Sequence, residues 1–149
     1  TRLMTGEFPN HHNMTPENPV YSFKVSRRHL LASCERAVII ASESNHVITL
    51  TLSETQVDIT AQAVNLGQFF ETLPLTCLTS DLADADDSVS IAFNSRLILD
   101  GLTHIESDDV IIAFNSPSKA CVMTPDANPD FKYILMPVII DAPPPVAAL

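Results

Sequence analysis

The chain has no tryptophan and only three glycines in 149 residues. That scarcity excludes glycine-rich phosphate loops, and neither a GxGxxG nor a GxxxxGK pattern occurs. A GxSxG nucleophile elbow is also missing. Three cysteines, Cys34, Cys77 and Cys121, are too few and too scattered for a disulfide framework or a zinc knuckle. Unpaired thiols of this kind suit a reducing cytoplasm. No apolar run approaches 18 residues, and the first residues lack the basic-then-apolar pattern of a signal peptide. Positive charge is scarce. Eight Lys and Arg stand against eighteen Asp and Glu, a net charge of −10. This speaks against a protein that coats nucleic acid by bulk charge, but leaves room for a local basic face. Against these absences stand 46% apolar and 17% charged residues, so the chain is no disordered acidic tail. Its length suits one domain with its own core.

Periodicity and turn residues give a coarse order. Residues 1–5 read as the end of a strand whose partners are missing. Residues 6–19, with three prolines and three asparagines, read as a turn-rich link. Val20 to Val25 alternates as a strand does. Arg27 to Glu43 follows, with Leu30, Leu31, Cys34, Val38 and Ala41 at helical spacing and Ser26 as N-cap. Residues 46–52 and 57–61 form a hairpin, and 66–78 reads as one or two more strands. Ser80 to Ser88 is an acidic loop. Residues 89–93 form a strand, and Asn94 caps a helix over Ser95 to Thr103 with Leu97, Leu99 and Leu102 inward. Strands over 109–114, 120–124 and 131–140 follow, and 141–149 is a proline-rich loose tail. The order β-α-β-β-β-β-α-β-β-β predicts an α+β fold with both helices on one side of antiparallel sheets. Strand, helix and a run of strands recur twice.

Few residues suggest chemistry. His11 and His12, with Glu7 and Glu17 nearby, fit no standard zinc spacing. Asp81, Asp84, Asp86 and Asp87 lack the glycine and the closing glutamate of a calcium loop. Cys34 falls on the apolar face of its helix, as a core thiol does. Asn13-Met14-Thr15 matches a glycosylation sequon without other signs of secretion. The basic residues are less ordinary. Arg27, Arg28, Arg36 and Arg96, half of the eight, lie on the two predicted helices. They make either a solvated helix face or a phosphate-facing surface. Tyr133 to Ile140 is apolar on both faces and is interrupted by Met136-Pro137, because proline lacks an N–H. It reads as a buried strand or as an apolar edge beside a docking groove.

Four stretches together resemble the C-terminal third of the bacterial DNA polymerase III β subunit, the sliding clamp. Gly6-Glu7-Phe8-Pro9-Asn10 looks like the link between the clamp's second and third domains. Val25 to Ser42 looks like the first helix of the third domain, and Phe93 to Leu102 like its second. Tyr133 to Val138 looks like its closing strand. The resemblance implies 1–19 as the end of a preceding domain and link, 20–140 as the third domain and 141–149 as a tail. It implies a homodimeric ring of three-domain subunits, with helices lining a hole around double-stranded DNA. The role is processivity without catalysis, in the bacterial cytoplasm at the nucleoid and replisome. No cofactor, metal or membrane is implied. Two thirds of such a subunit would be absent from this chain.

The same resemblance implies residue roles. DNA polymerase, clamp loader and repair proteins would dock by short apolar peptides. The pocket share would be Pro9, Asn13, Met14, Asn45, His46, Asn94, Leu97, Ser118, Ala120, Leu135, Met136, Pro137 and Val138. Arg27, Arg28, Arg36 and Arg96 would face DNA. Ile39, Ile40, Phe69 and Phe70 would meet the neighbouring subunit. The chain departs from the family where Phe69-Phe70 replaces a small or acidic stretch, in its proline-rich ending, and in lacking an aromatic residue at Leu97. Two other readings stay open: a stand-alone α+β peptide-binding or assembly domain, and a small metal-dependent hydrolase using His11, His12 and the cluster from Asp81 to Asp87. The hydrolase needs those side chains to converge on one cleft.

Overall fold

A computed structural model describes residues 5–8, 10–84 and 86–141, with His11 described through its backbone alone. The expected strand end at 1–4, Pro9 and the tail 142–149 lie outside the described residues. A short 3-10 turn, His11–Asn13, sits in the link. The strands are β1 (Tyr21–Ser26), β2 (Val47–Leu52), β3 (Gln56–Ala63), β4 (Gly67–Thr79), β5 (Val89–Asn94), β6 (Asp109–Phe114), β7 (Cys121–Pro125) and β8 (Tyr133–Leu135). The helices are α1 (Arg27–Ser42) and α2 (Ser95–His104). The α+β class and the twofold recurrence of strand, helix and three strands both hold.

The strands pair antiparallel in the order β5-β2-β3-β4-β1-β6-β7-β8. The two recurring units interlock: the first strand of one, β1, pairs with β6, and the first strand of the other, β5, pairs with β2. Region 66–78, read as one or two strands, is a single thirteen-residue strand. Its first part pairs with β3, from Gly67 opposite Ala63 to Pro74 opposite Gln56. Its second part pairs with β1, from Leu75 opposite Val25 to Thr79 opposite Ser22.

One expected strand is much shorter. Residues 131–140 were expected to form one strand, but only Tyr133–Leu135 pairs with β7. Pro137 has no N–H to continue the ladder, so the chain leaves β7 there. Val138 then donates to the carbonyl of Ala92 at 2.7 Å, a single bridge that links the end of the sheet order back to β5.

Alternation sorts the side chains. In β2, β3 and β5 the residues Ile48, Leu50, Leu52, Val57, Ile59, Ile91 and Phe93 are buried in the core. Helix α1 buries Leu30, Ser33, Cys34, Ala37 and Ala41, one stripe at spacings of three and four. It packs against α2 and the strands β2 to β4. Helix α2 starts where the Asn94 side chain accepts from the Arg96 N–H at 3.0 Å. It buries Ser95, Ile98, Gly101 and Leu102. Leu97, expected inward, points out instead and is 49% exposed, because it falls just outside the arc of the helix wheel that the buried positions 95, 98, 101 and 102 share.

Gly101 marks the closest approach of α2 to the sheet. A Cβ built there meets the ring of Tyr133 and the end of Met123 at 2.5–2.6 Å. Gly101→Ala gains about 1 kcal/mol in helix propensity but forces the stiff tyrosine ring aside. The net expected loss is about 1–2 kcal/mol, a fall in Tm of roughly 3–6 °C in thermal unfolding. An unchanged or raised Tm would show that the contact relaxes freely. The thiols allow a second check. Burial pushes Cys34 and Cys121 up to about 12, whereas Cys77 is half-buried on β4. A thiol reagent at pH 8 is expected to modify Cys77 alone until denaturant is added.

Candidate functional site

Two corners of the fold gather the residues nominated for peptide docking. At the first, the α1–β2 turn meets the start of α2. His46 takes a left-handed backbone, φ 57°, and its N–H donates to Ala41 at 2.9 Å. Its carbonyl accepts the Ser95 N–H at 2.7 Å, and Val47 pairs with Asn94. Asn45, His46, Asn94 and Leu97 therefore share one corner. The Tyr133 hydroxyl lies 3.1 Å from both the Leu97 carbonyl and the Asp100 carboxylate. Burial, then the Asp100 hydrogen bond, raises the Tyr133 pKa. That contact ties β8 to α2 and leaves Leu97 and Met136 as exposed apolar side chains on the two joined elements, Met136 at 60%.

The second corner is a cleft of about 200 Å³ between β5 and the β6–β7 turn. Ser118 and Val138 line it with Ser90, Ala92, Ile139 and Ile140. Ala120 and Pro137 are half-buried. Leu135 does not belong to this surface: it pairs with Cys121 and is buried in the core. Asn13 and Met14 are exposed on the link.

The four arginines are not brought to one face. Arg27 is half-buried, and its guanidinium donates to the carbonyls of Ser107 at 2.9 Å and Leu102 at 3.2 Å. It thereby satisfies carbonyls around the C-terminal end of α2. Arg36 grips Glu71 of β4 through both carboxylate oxygens, at 2.6–3.1 Å, and the Ser33 hydroxyl adds a third donor at 3.0 Å. Arg28 and Arg96 are exposed and enter no ion pair among the described residues. Sequence reasoning could count arginines on helices, but not separate the two that bond within the fold from the two that enter no ion pair among the described residues.

The residues nominated for subunit contact also divide. Phe69 and Phe70 are neighbours on a strand, so they point to opposite faces. Phe69 packs against the core, and Phe70 faces out at 42% exposure. Ile40 packs against the core, while Ile39 is exposed. Among the described residues the first part of β4 pairs with β3 alone, and its other edge has no strand partner. Around the β3–β4 turn Val64 and Leu66 are exposed as well. Leu66 begins the strand from Leu66 to Leu73 expected to pair across the joint, while Val64 was not among the nominated residues.

The His11 side chain, which the metal reading needs, lies outside the described residues. Among the described residues no three His, Cys, Asp or Glu side chains converge to hold an ion. Asp87 instead accepts from the Ala83 N–H at 3.2 Å, which shapes its own loop.

Comparison with known proteins decides the family. The family described as DNA polymerase III beta subunit, C-terminal domain, matches residues 12–139. The chain belongs to that family. It is 27% identical to the beta sliding clamp of Synechococcus elongatus over 140 residues, covering 93% of this chain and 36% of that protein. It is 29% identical to the beta sliding clamp of Halalkalibacterium halodurans over 140 residues, covering 93% and 35%. The chain thus spans about a third of the length of these curated relatives. Among solved structures, the DNA polymerase III beta subunit of Thermotoga maritima shares the fold at a TM-score of 0.82 and 24% identity, over 91% of this chain and 35% of that one. A sliding clamp from Bartonella birtlesii, solved bound to griselimycin, matches at 0.78 and 21%, over 91% and 35%.

The Arg36–Glu71 pair predicts an acid limb. The Arg36 hydrogen bonds, assisted by Ser33, hold the Glu71 carboxyl below the ordinary carboxylate range. A depressed folded value means that the contribution is complete above the unfolded pKa and is lost as pH falls through the folded one. Glu71→Gln is expected to flatten the fall in Tm between about pH 5 and pH 3 relative to the parent chain. Parallel curves for the two proteins would show that the pair is spectator to acid unfolding.

Proposed function

We propose that this chain acts as the third domain of a DNA polymerase sliding clamp, over residues 20–140, with 6–19 as the link that precedes it. The observation that carries the reading is the family match over 12–139, combined with an exposed apolar corner at Leu97 and Met136. In this role the domain makes and breaks no bond. It contributes one part of a ring that slides on double-stranded DNA and tethers DNA polymerase, clamp loader and repair proteins, in the bacterial cytoplasm at the nucleoid.

The chemistry of the surfaces supports these tasks. Leu97, Met136 and Val138 offer adaptable apolar contact, and Asn45, His46 and Asn94 provide polar groups beside them. A pocket of that composition suits several short peptides with apolar anchors. Met14 would join it from the link. Arg28 and Arg96 are the helix-borne cations free of ion pairs among the described residues, while Arg27 ties α1 to the end of α2 and Arg36, itself exposed, ties α1 to Glu71 of β4. Ile39, Phe70 and the open edge of β4 supply a subunit joint of apolar and strand-pairing character, held in place by Ile40 and Phe69 from the core side.

The test is binding of a fluorescent peptide of the Gln-Leu-x-Leu-Phe type, read by anisotropy. With the intact clamp, roughly micromolar affinity is expected, about −8 kcal/mol. Leu97→Ala and Met136→Ala are each expected to weaken it about tenfold, with Tm unchanged within about 2 °C because both side chains are exposed. No saturable binding by the intact protein, or binding that ignores both substitutions, would sink the docking role.

A further inference from the structure

The segment that carries Met136 is held at two points. Strand β8 ends at Leu135, and among the described residues Met136 and Pro137 stand in no strand ladder. On the far side, the Val138 N–H donates to the Ala92 carbonyl at 2.7 Å. On the near side, the Tyr133 hydroxyl lies 3.1 Å from the Leu97 carbonyl and 3.1 Å from Asp100 Oδ2. Met136 follows Tyr133 by three residues, so at most about 10 Å of backbone separates this anchor from the exposed methionine. Both acceptors belong to the turn of α2 that presents Leu97. One hydroxyl therefore joins the two elements that carry the apolar corner.

The anchor is built from both sides. A phenol has one proton to donate, and the charged Asp100 carboxylate is the stronger of its two acceptors. The other carboxylate oxygen, Oδ1, stands 3.6 Å from His104 Nδ1. The Tyr133 ring packs partly against the core, in the space that a Cβ on residue 101 would enter at 2.6 Å, so Gly101 admits it against α2. Burial and Asp100 raise the phenol above the ordinary tyrosine range, so the hydroxyl keeps its proton at neutral pH. A methionine on a segment without ladder bonds has much freedom to lose when a peptide docks on it. Fixing the segment beforehand lowers that cost, because apparent affinity scales with the fraction already in the docking placement.

We infer that Tyr133 is a positioning residue for peptide docking: through Asp100 and the Leu97 carbonyl it sets where Met136 stands relative to Leu97, and so the affinity for a peptide with apolar anchors. The inference rests on the docking role proposed above. Tyr133 acts through Met136 and does not itself touch the peptide. Removing the hydroxyl alone keeps the ring and its packing but releases the near anchor, which leaves Val138 as the nearest backbone tie beyond Leu135.

The test titrates the Gln-Leu-x-Leu-Phe-type peptide against the intact clamp and its variants. Tyr133→Phe is expected to weaken binding about threefold to tenfold, with Tm lowered by about 4 °C at most. Asp100→Asn keeps an acceptor oxygen and should stay within about twofold of the parent. A merely structural role would add the same loss in any background. Positioning predicts that Tyr133→Phe costs less than about twofold once Met136 is already alanine. The ε-methyl resonance of Met136 in the peptide-free protein gives a second readout: it should move and narrow in Tyr133→Phe, while the methyls of Ile98 and Leu102 stay in place. Binding by Tyr133→Phe at the parent's strength, an equal loss with and without Met136, or an unmoved Met136 methyl would each overturn the positioning role while leaving docking intact. No binding by the parent protein would sink the docking role and this one with it.

Discussion

The structure depends on one strand changing partners. Strand β4 pairs with β3 as far as Pro74 and with β1 from Leu75 onward, on its opposite edge. Pro74 sits where the ladder changes sides, and proline has no N–H to lose there. The Leu75 N–H still bonds on the β3 side, to the Thr55 carbonyl at 3.0 Å, while Leu75 already stands opposite Val25 of β1. This change joins β5-β2-β3 to β1-β6-β7-β8 through a continuous backbone. It also creates the open edge, because a strand that leaves β3 only at Pro74 pairs with no described strand on its other side before Leu75. Period two does the rest. Phe69, Glu71, Leu73, Leu75 and Cys77 turn inward, so the carboxylate of Glu71 meets α1 and holds it over the sheet. A slip of one residue would expose that whole set and send Phe70 inward.

What could be read from the chain follows from how local each cause is. Helix α1 was legible because Leu30, Cys34 and Ala41 repeat at its own period, and α2 because Asn94 caps it from one residue away. The break at Pro137 was legible for the same reason: a missing N–H is a property of the residue. The bridge from Val138 to Ala92 was not, since it joins two strands at opposite ends of the sheet order. The arginines make the point sharply. Arg27 and Arg28 are adjacent and chemically identical, yet one caps carbonyls of a distant helix end and the other faces water. Only the fold, which brings Ser107 and Leu102 beside α1, separates them.

Charge places a limit on how the proposed clamp part could hold DNA. With Arg27 bound to backbone carbonyls and Arg36 paired at the surface with Glu71, the helices present Arg28 and Arg96 as exposed cations in no ion pair among the described residues, on a chain of net charge −10. Each phosphate contact contributes a salt-dependent increment, about one unit of the logarithmic slope, so two exposed arginines give a weak and easily screened attachment. Weak attachment suits a part that must slide. Retention then has to come from closure of a ring rather than from affinity, which puts the demand on the subunit joint.

That demand meets a domain whose folding does not draw on the same residues. Phe23, Phe93 and Phe114 are wholly buried together with Leu30, Ile48, Leu50 and Ile98 in one core cluster. The exposed apolar residues stand apart from it: Ile39, Val64, Leu66 and Phe70 around the open edge, and Leu97 and Met136 at the α2 corner. A chain spanning about a third of its relatives' length can therefore carry a complete core. Part of its exposed apolar surface gathers in these two places, while Phe8, Met14, Val20, Leu78, Phe131 and Ile139 are exposed elsewhere among the described residues. In the proposed role the two patches would serve two partners at once. This is what a ring part needs if it is to stay closed while exchanging the proteins it tethers.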